Sequence, residues 1–214
     1  MIINWFGQSC YKIQGENSVL IIDPSDDSSG VKISKFSADI ITTSSGWIDD
    51  KLIKKISGPK PFVIKGPGEY EFKNIFIYGI DAVKKDKDNE NKERNIIYRI
   101  EIDGVKLAHL GNLKETIANG QLEKIEGVDI LMIPVGGGNV INSKQATELI
   151  SQLEPRIVVP MCYDIPGIKS KHKMDGVENF CREIGVCPKE RINKFKISKK
   201  DLPQQDLQVV ILEP

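Results

Sequence analysis

Apolar positions in the first third of the chain recur in short runs, without a sustained helical period. Ile2–Phe6, Cys10–Gln14 and Val19–Ile22 are rich in β-branched and aromatic side chains. Gly7 and Gly15-Glu16-Asn17 separate them, so they read as three strands joined by turns. Asp39–Thr43 continues the series and runs into the polar stretch Ser44-Ser45-Gly46. The period changes over Asp49–Ile56, where Leu52, Ile53 and Ile56 fall on one face of a predicted helix. Strand patterning returns at Phe62–Ile64, Tyr70–Phe72 and Ile75–Ile80, punctuated by Gly66-Pro67-Gly68 and Lys73-Asn74.

Lys84–Arg94, reading KKDKDNENKER, is almost wholly charged or polar and cannot bury a face. It reads as a solvated loop or hairpin tip. Ile96–Ile102 and Val105–Leu110 flank Asp103-Gly104, a strong hairpin signal. Helices and strands alternate from there. Lys114–Ile125, Asn142–Leu153 (with an Asn142/Gln145 capping box) and Asp175–Ile184 are the predicted helices. Asp129–Pro134, Arg156–Pro160 and Leu207–Leu212 are the predicted strands. Each half runs from grouped strands into helices, which predicts two sheets stacked face to face with helices outside. The expected fold is α+β, a four-layer αββα sandwich, as one domain over residues 1–214.

Composition narrows the functional classes. Lys and Arg total 30 and Asp and Glu total 30, and this balance argues against nucleic acid or a membrane surface as partner. No apolar run approaches the roughly 18 residues of a membrane span. The segment MIINWFGQSC has neither the basic nor the apolar region of a secretion signal. Four cysteines without a CxxC pair do not suggest a disulfide framework, so a cytoplasmic protein with free thiols is expected. Histidine bears most on the chemistry, because the chain has only two.

Six segments carry a resemblance: WFGQSCYKI at 5–13 with LIIDP at 20–24, KGPGEYEFKNIFIYGI at 65–80, YRIEIDGVKLAHLGNL at 98–113, VDILMIPVGGG at 128–138, and EPRIVVPMCYDIPG at 154–167. In this order they resemble the metallo-β-lactamase fold, in its branch similar to ascorbate-phosphate lactonases and other Zn-dependent hydrolases. The resemblance covers roughly residues 1–185 and implies an αββα sandwich with the active site at one edge of the two sheets. It also implies one or two metal ions, usually zinc, that activate water for hydrolysis. The ligands would come from a His-x-His-x-Asp-His loop, a mid-chain His, an Asp in a Gly-Asp turn and a last His in a Pro-Met-His-Tyr-like segment.

Set on this sequence, those positions are mostly changed. In DIITTSSGWIDD they are Ser45, Trp47, Asp49 and Asp50, the mid-chain histidine falls near Lys84, the bridging Asp is Asn112, and the last His is Cys162. Trp47 has no lone pair for a metal, Lys84 would place a cation among cations, and Asn112 lacks the charge that holds two divalent ions together. A dinuclear centre is therefore not expected, and the metal site reads as vestigial.

Each candidate also has a plainer reading. Asp49 and Asp50, with Asn112, form a set of oxygen donors suited to Mg²⁺ or Ca²⁺, or simply begin a helix whose dipole favours acidic side chains. Cys162 is a thiolate nucleophile or soft ligand if a cation lowers its pKa, and otherwise a small buried residue. His109 shares a strand face with Val105 and Leu107, which favours a packed core histidine over a catalytic base. His172, in KSKHK, reads as solvated. Gly136-Gly137-Gly138 offers backbone N–H groups to an anion or merely turns the chain. Trp47 either plugs the vacated cavity or stacks on an aromatic or sugar-like ligand.

The expected function is a non-catalytic binding or scaffold role on a metallo-β-lactamase fold, a pseudoenzyme without a cofactor. Its partner is expected to be a small molecule or a protein, with self-association into a homo-oligomer left open. The alternative is a hydrolase of a small phosphorylated or lactone-like substrate. It would use one divalent ion (Zn or Mg) at a site rebuilt from Asp49, Asp50, Asn112 and Cys162, with His109 as a further candidate.

Overall fold

Alternation of buried and solvent-facing residues starts at the first strand. In β1 (Ile2–Trp5), Ile3 and Trp5 point inward, opposite Ile13 and Tyr11 of β2 (Tyr11–Gln14). The computed structural model describes residues 1–25, 37–82, 94–168, 170 and 172–214. Lys84, and with it most of the charged stretch to Arg94, lies outside them.

The first sheet continues through β3 (Val19–Ile22), β4 (Ala38–Thr42) and β5 (Ser57–Ile64). Its order is β12-β1-β2-β3-β4-β5, where β12 is the short strand Phe195–Lys196. The second sheet contains β6 (Gly68–Phe72), β7 (Ile75–Asp81), β8 (Ile96–Ile102), β9 (Val105–His109), β10 (Ile130–Pro134), β11 (Ile157–Met161) and β13 (Gln208–Val209). Its order is β13-β11-β10-β9-β8-β7-β6. Hairpins make β6 through β9 antiparallel, whereas β9, β10, β11 and β13 run parallel. Likewise β3, β4 and β5 run parallel. The hairpin turns follow their residues: Asp103 and Gly104 sit at φ 52° and 73°, and Lys73 and Asn74 at 49° and 62°. These are the positive-φ pairs that two-residue hairpins require.

The sheets face each other across one large core that includes Leu20, Ile22 and Ile40 from the first and Ile77, Ile100 and Leu107 from the second. Helix α3 (Ser143–Leu153) packs on β10 and on α4 (Val177–Ile184) outside the second sheet. Helix α1 (Asp50–Ile56) lies on the first sheet over a separate, smaller cluster: Cys10, Ile21, Ala38, Ile41, Ile48 and Ile56. The result is the expected α+β sandwich with helices on both outer faces. Among the described residues, no helix is long and apolar enough to cross a membrane.

Several sequence expectations need correction. Only Asn119–Leu122 (α2) and a following 3₁₀ turn, Glu123–Ile125, are helical in the predicted helix 114–125. Leu113 and Ile117 are drawn into the core and Ala118 remains extended, so helix begins only after it. The last helix starts at Val177, because the backbone N–H of Asp175 is spent on Gly136 O and its carbonyl on Asp164 N. Strand β12 carried no visible signal.

Nor are all the thiols free. Cys181 and Cys187 form a disulfide, leaving Cys10 and Cys162 as buried thiols. Gly185, at φ 75°, ends α4 by reversing the chain, with its N–H bonded to Cys181 O. That reversal returns Cys187 to the helix.

Candidate functional site

The C-terminal ends of β3, β4, β9 and β11 open at one edge of the sandwich, because β3 and β4 run parallel, as do β9 through β11. Loops leaving β3, β4 and β9, with Ser9 of the β1–β2 loop and helix α1, line a cleft of about 690 Å³. Its deep part holds the buried side chains of Ser9 and Ser44, with Asp23 and Asn112 beside them. Trp47, Lys51, Leu52 and Lys55 line its α1 side.

The loop after β4, which the family resemblance aligns with metal ligands, bonds to itself. Thr43 Oγ1 and Ser45 Oγ both donate to Trp47 O, at 2.9 and 3.1 Å, and Trp47 N donates to Ser45 Oγ at 3.3 Å. Ile48 turns inward into the small cluster under α1, so Trp47 turns outward and is 71% exposed. The indole therefore does not plug the cavity. It stands at the rim. Asp49 caps α1, its Oδ1 accepting from Lys51 N at 2.8 Å, and Asp50 is exposed in the first turn.

At the base, the polar atoms are spent on one another. Asp23 accepts from Ser44 N at 2.5 Å and from Ser44 Oγ at 2.6 Å. Asn112 N donates to Asn95 Oδ1 at 2.9 Å, and Asn95 Nδ2 donates to Leu110 O at 2.9 Å. The Cys162 thiol faces Asn112 Oδ1 at 3.6 Å. Gly111 threads between these groups with φ +61°. A Cβ there would lie 2.3 Å from Asn95 Oδ1 and 2.6 Å from Ser44 Cβ.

His109 is buried and both ring nitrogens are engaged. Gly111 N–H donates to Nδ1 at 3.2 Å, so Nε2 carries the proton and donates to Ser9 O at 2.9 Å. Burial holds its pKa below the ordinary histidine value, against the opposing charge of Asp23 and the bond to Ser9. This is a neutral structural imidazole that ties β9 to the Ser9 loop. Burial likewise raises the thiol pKa of Cys162, and nearby Asp23 adds to the effect, while Cys10 is pushed up to about 12. Native protein is accordingly expected to resist iodoacetamide at both cysteines at neutral pH and to react at both once unfolded. Rapid native labelling of Cys162, read by mass spectrometry, would restore thiol chemistry as an option.

The triple glycine is not an anion cradle. Gly136 N donates to Cys162 O at 3.1 Å and Gly137 N to Ile141 O at 3.2 Å. Gly138 packs so closely that a Cβ would lie 2.6 Å from Lys173 O. His172 is exposed, as its sequence setting predicts.

The donor set does not fit a two-zinc centre of the kind the fold family uses. Ser45 and Trp47 replace imidazoles, His109 has no nitrogen to spare, Asp49 serves its helix, and the Cys162 thiol is held neutral. Among the described residues no group of three or more His, Cys, Asp or Glu is placed to hold a metal. Sequence reasoning missed Asp23, Ser44 and Asn95. Asp23 had a readable signal, an acidic residue closing the apolar run VLII just before Pro24.

Two mixed sheets with an open edge at the ends of their parallel strands define the metallo-β-lactamase class of fold. The match to the β-lactamase superfamily domain spans residues 2–162, and the chain belongs to that family. A UPF0173 protein of Pyrococcus abyssi is 26% identical over 199 residues, covering 86% of this chain and 90% of its own. A UPF0173 metal-dependent hydrolase of Thermococcus onnurineus is 31% identical over 99 residues, covering 45% of this chain and 44% of its own. Among solved structures, a metallo-β-lactamase superfamily protein of Thermotoga maritima, provisionally named a Zn-dependent hydrolase, superposes with a TM-score of 0.80 at 27% identity. That superposition covers 99% of this chain and 98% of the other. Igni18, a metallo hydrolase of Ignicoccus hospitalis, shares the fold, with a TM-score of 0.64 at 15% identity over 92% of this chain and 99% of its own.

Proposed function

We propose that this chain is a non-hydrolytic member of its family, in which the cleft binds a small molecule without a dinuclear metal centre. One observation carries the reading. The residues at the former ligand positions, and those around them, spend their polar atoms on the protein itself. Asn112 is held by Asn95 and faces the Cys162 thiol, Asp49 caps α1, and Ser45 braces the Trp47 carbonyl. A metal would have to deprotonate a buried thiol to gain Cys162, and would find one Asp49 oxygen and the Ser45 hydroxyl already engaged. The hydrogen-bonded network does the structural work that bridged ions would otherwise do. It joins the loops after β3, β4 and β9 and reaches Cys162 after β11. A cytoplasmic location remains part of the proposal.

The names of the Thermococcus onnurineus and Thermotoga maritima proteins favour the alternative, a hydrolase with one divalent ion at a rebuilt site. Elemental analysis separates the two. Protein equilibrated with excess zinc or magnesium and then desalted is expected to retain far less than one ion per chain. It is also expected to show no hydrolysis of phosphate-ester or lactone substrates. Stoichiometric metal with activity, both lost in Asp49→Ala and Cys162→Ala, would establish the rebuilt site instead.

A further inference from the structure

We infer that the cleft binds a neutral sugar ring, with Ser9, Asn112 and Asp23 holding its hydroxyls at the base and Trp47 packing on its apolar face at the rim. This deepens the proposed binding function and rests on it.

The first support is the set of polar groups at the base. Ser9 borders the cleft and is only 7% exposed. Its carbonyl accepts from His109, yet its hydroxyl has no partner among the described residues. Asn112 borders the cleft as well. Its Oδ1 faces the Cys162 thiol and its backbone N–H is bonded to Asn95, which leaves the Nδ2 hydrogens unpartnered. Asp23 accepts two bonds from Ser44, and a carboxylate has lone pairs beyond those two. The base thus offers a donor, an acceptor, and a hydroxyl that serves as either. Neighbouring hydroxyls on a sugar ring, each donating one bond and accepting another, match that set.

The second support is charge balance. Two acidic and two basic side chains line the cleft, Asp23 and Asp49 against Lys51 and Lys55. Asp49 and Lys55 already have partners in the protein. Among the described residues, therefore, no excess of either sign selects a charged ligand.

The third is Trp47, which lines the same cleft and is the most exposed large hydrophobic side chain among the described residues. Three hydrogen bonds within the loop fix its backbone. A side chain on a fixed backbone loses little freedom when a ligand packs on it. A flat aromatic ligand would use the indole and leave the base unpaired. An open-chain polyol would use the base and leave the indole bare. A sugar ring has both an apolar C–H face and a hydroxylated edge. The cleft volume also suits it, since small-molecule sites run from about 300 to 1,000 Å³.

The experiment titrates methyl β-D-glucopyranoside, methyl β-D-galactopyranoside and methyl α-D-mannopyranoside at millimolar concentration into the full chain with EDTA present. Phenol and glucose 6-phosphate serve as comparisons, and binding is read by NMR. At least one glycoside is expected to bind, phenol about tenfold more weakly and glucose 6-phosphate no more tightly. Ser9→Ala should weaken the glycoside about tenfold and leave the melting temperature unchanged, because that hydroxyl bonds nothing in the protein. Trp47→Ala should weaken it by a similar factor.

The chain has two tryptophans, and the Trp5 indole N–H is bonded to Gln8 O at 2.8 Å in the core. On titration the Trp47 indole N–H resonance is expected to shift while that of Trp5 stays. No binding of any of the three glycosides overturns the inference and leaves the non-hydrolytic reading standing. Binding unaffected by both variants, or phenol or glucose 6-phosphate binding more tightly than the glycosides, overturns it too. Binding that appears only when zinc replaces EDTA overturns both the inference and the metal-free reading.

Discussion

Gly111→Ala is expected to destabilise the protein by about 3–5 kcal/mol, a drop of about 10 °C or more in melting temperature. Two causes add. Residue 111 holds φ +61°, which costs an alanine roughly 1 kcal/mol. In addition, the new methyl would meet Asn95 Oδ1 at 2.3 Å and Ser44 Cβ at 2.6 Å, neither able to retreat without breaking the network. Two other glycines isolate the causes. Gly127 has φ +68° and nothing within 4 Å, so Gly127→Ala should show the backbone cost alone. Gly120, in α2, has open space and ordinary φ, so Gly120→Ala should be neutral or slightly stabilising. Thermal melts of the three variants check the ranking. If Gly111→Ala is no worse than Gly127→Ala, the crowding at the base of the cleft is not real.

Asp23→Ala should cost about 2–4 kcal/mol, because it orphans a buried backbone N–H and a buried hydroxyl, both of Ser44. It also leaves an alanine at φ +47°. Asp23→Asn should cost about half as much, since asparagine tolerates that backbone and keeps one carbonyl acceptor. A double-mutant cycle with Ser44→Ala, read by urea unfolding at fixed pH, tests whether the pair acts as a unit. The two losses should fall short of additive by more than about 1 kcal/mol. Simple additivity would mean that the carboxylate stabilises something other than Ser44.

Much of the fold was legible because its signals are local. Asp103-Gly104 and Lys73-Asn74 dictate hairpins by the φ angles they accept. Asn142 and Gln145 cap α3 reciprocally, each side chain bonding the other's backbone N–H at 3.0 Å. What escaped is set by distant partners. Nothing near Lys114 says that Leu113 and Ile117 will be claimed by the core before a helix can start. The Cys181–Cys187 bridge depends on Gly185 reversing the chain, and a six-residue spacing does not announce that.

The candidate site divides the same way. The scarcity of imidazoles is a matter of counting, and it is visible in the sequence. The hydrogen-bonded base of the cleft is not, because Asp23, Ser44, Asn95 and Asn112 come from four separate segments. Trp47 illustrates the limit most directly. Whether its ring fills a hole or faces water depends on its neighbour Ile48, which takes the inward path.

The separate apolar cluster beneath α1 gives the molecule two tiers of stability. Ile56 of that helix packs there with five buried residues from outside it, against the far larger set between the sheets. Local opening is cheapest where the fewest apolar contacts must part. The α1 wall of the cleft is therefore expected to open before the two sheets part, so its amides should exchange with deuterium ahead of those in the central strands.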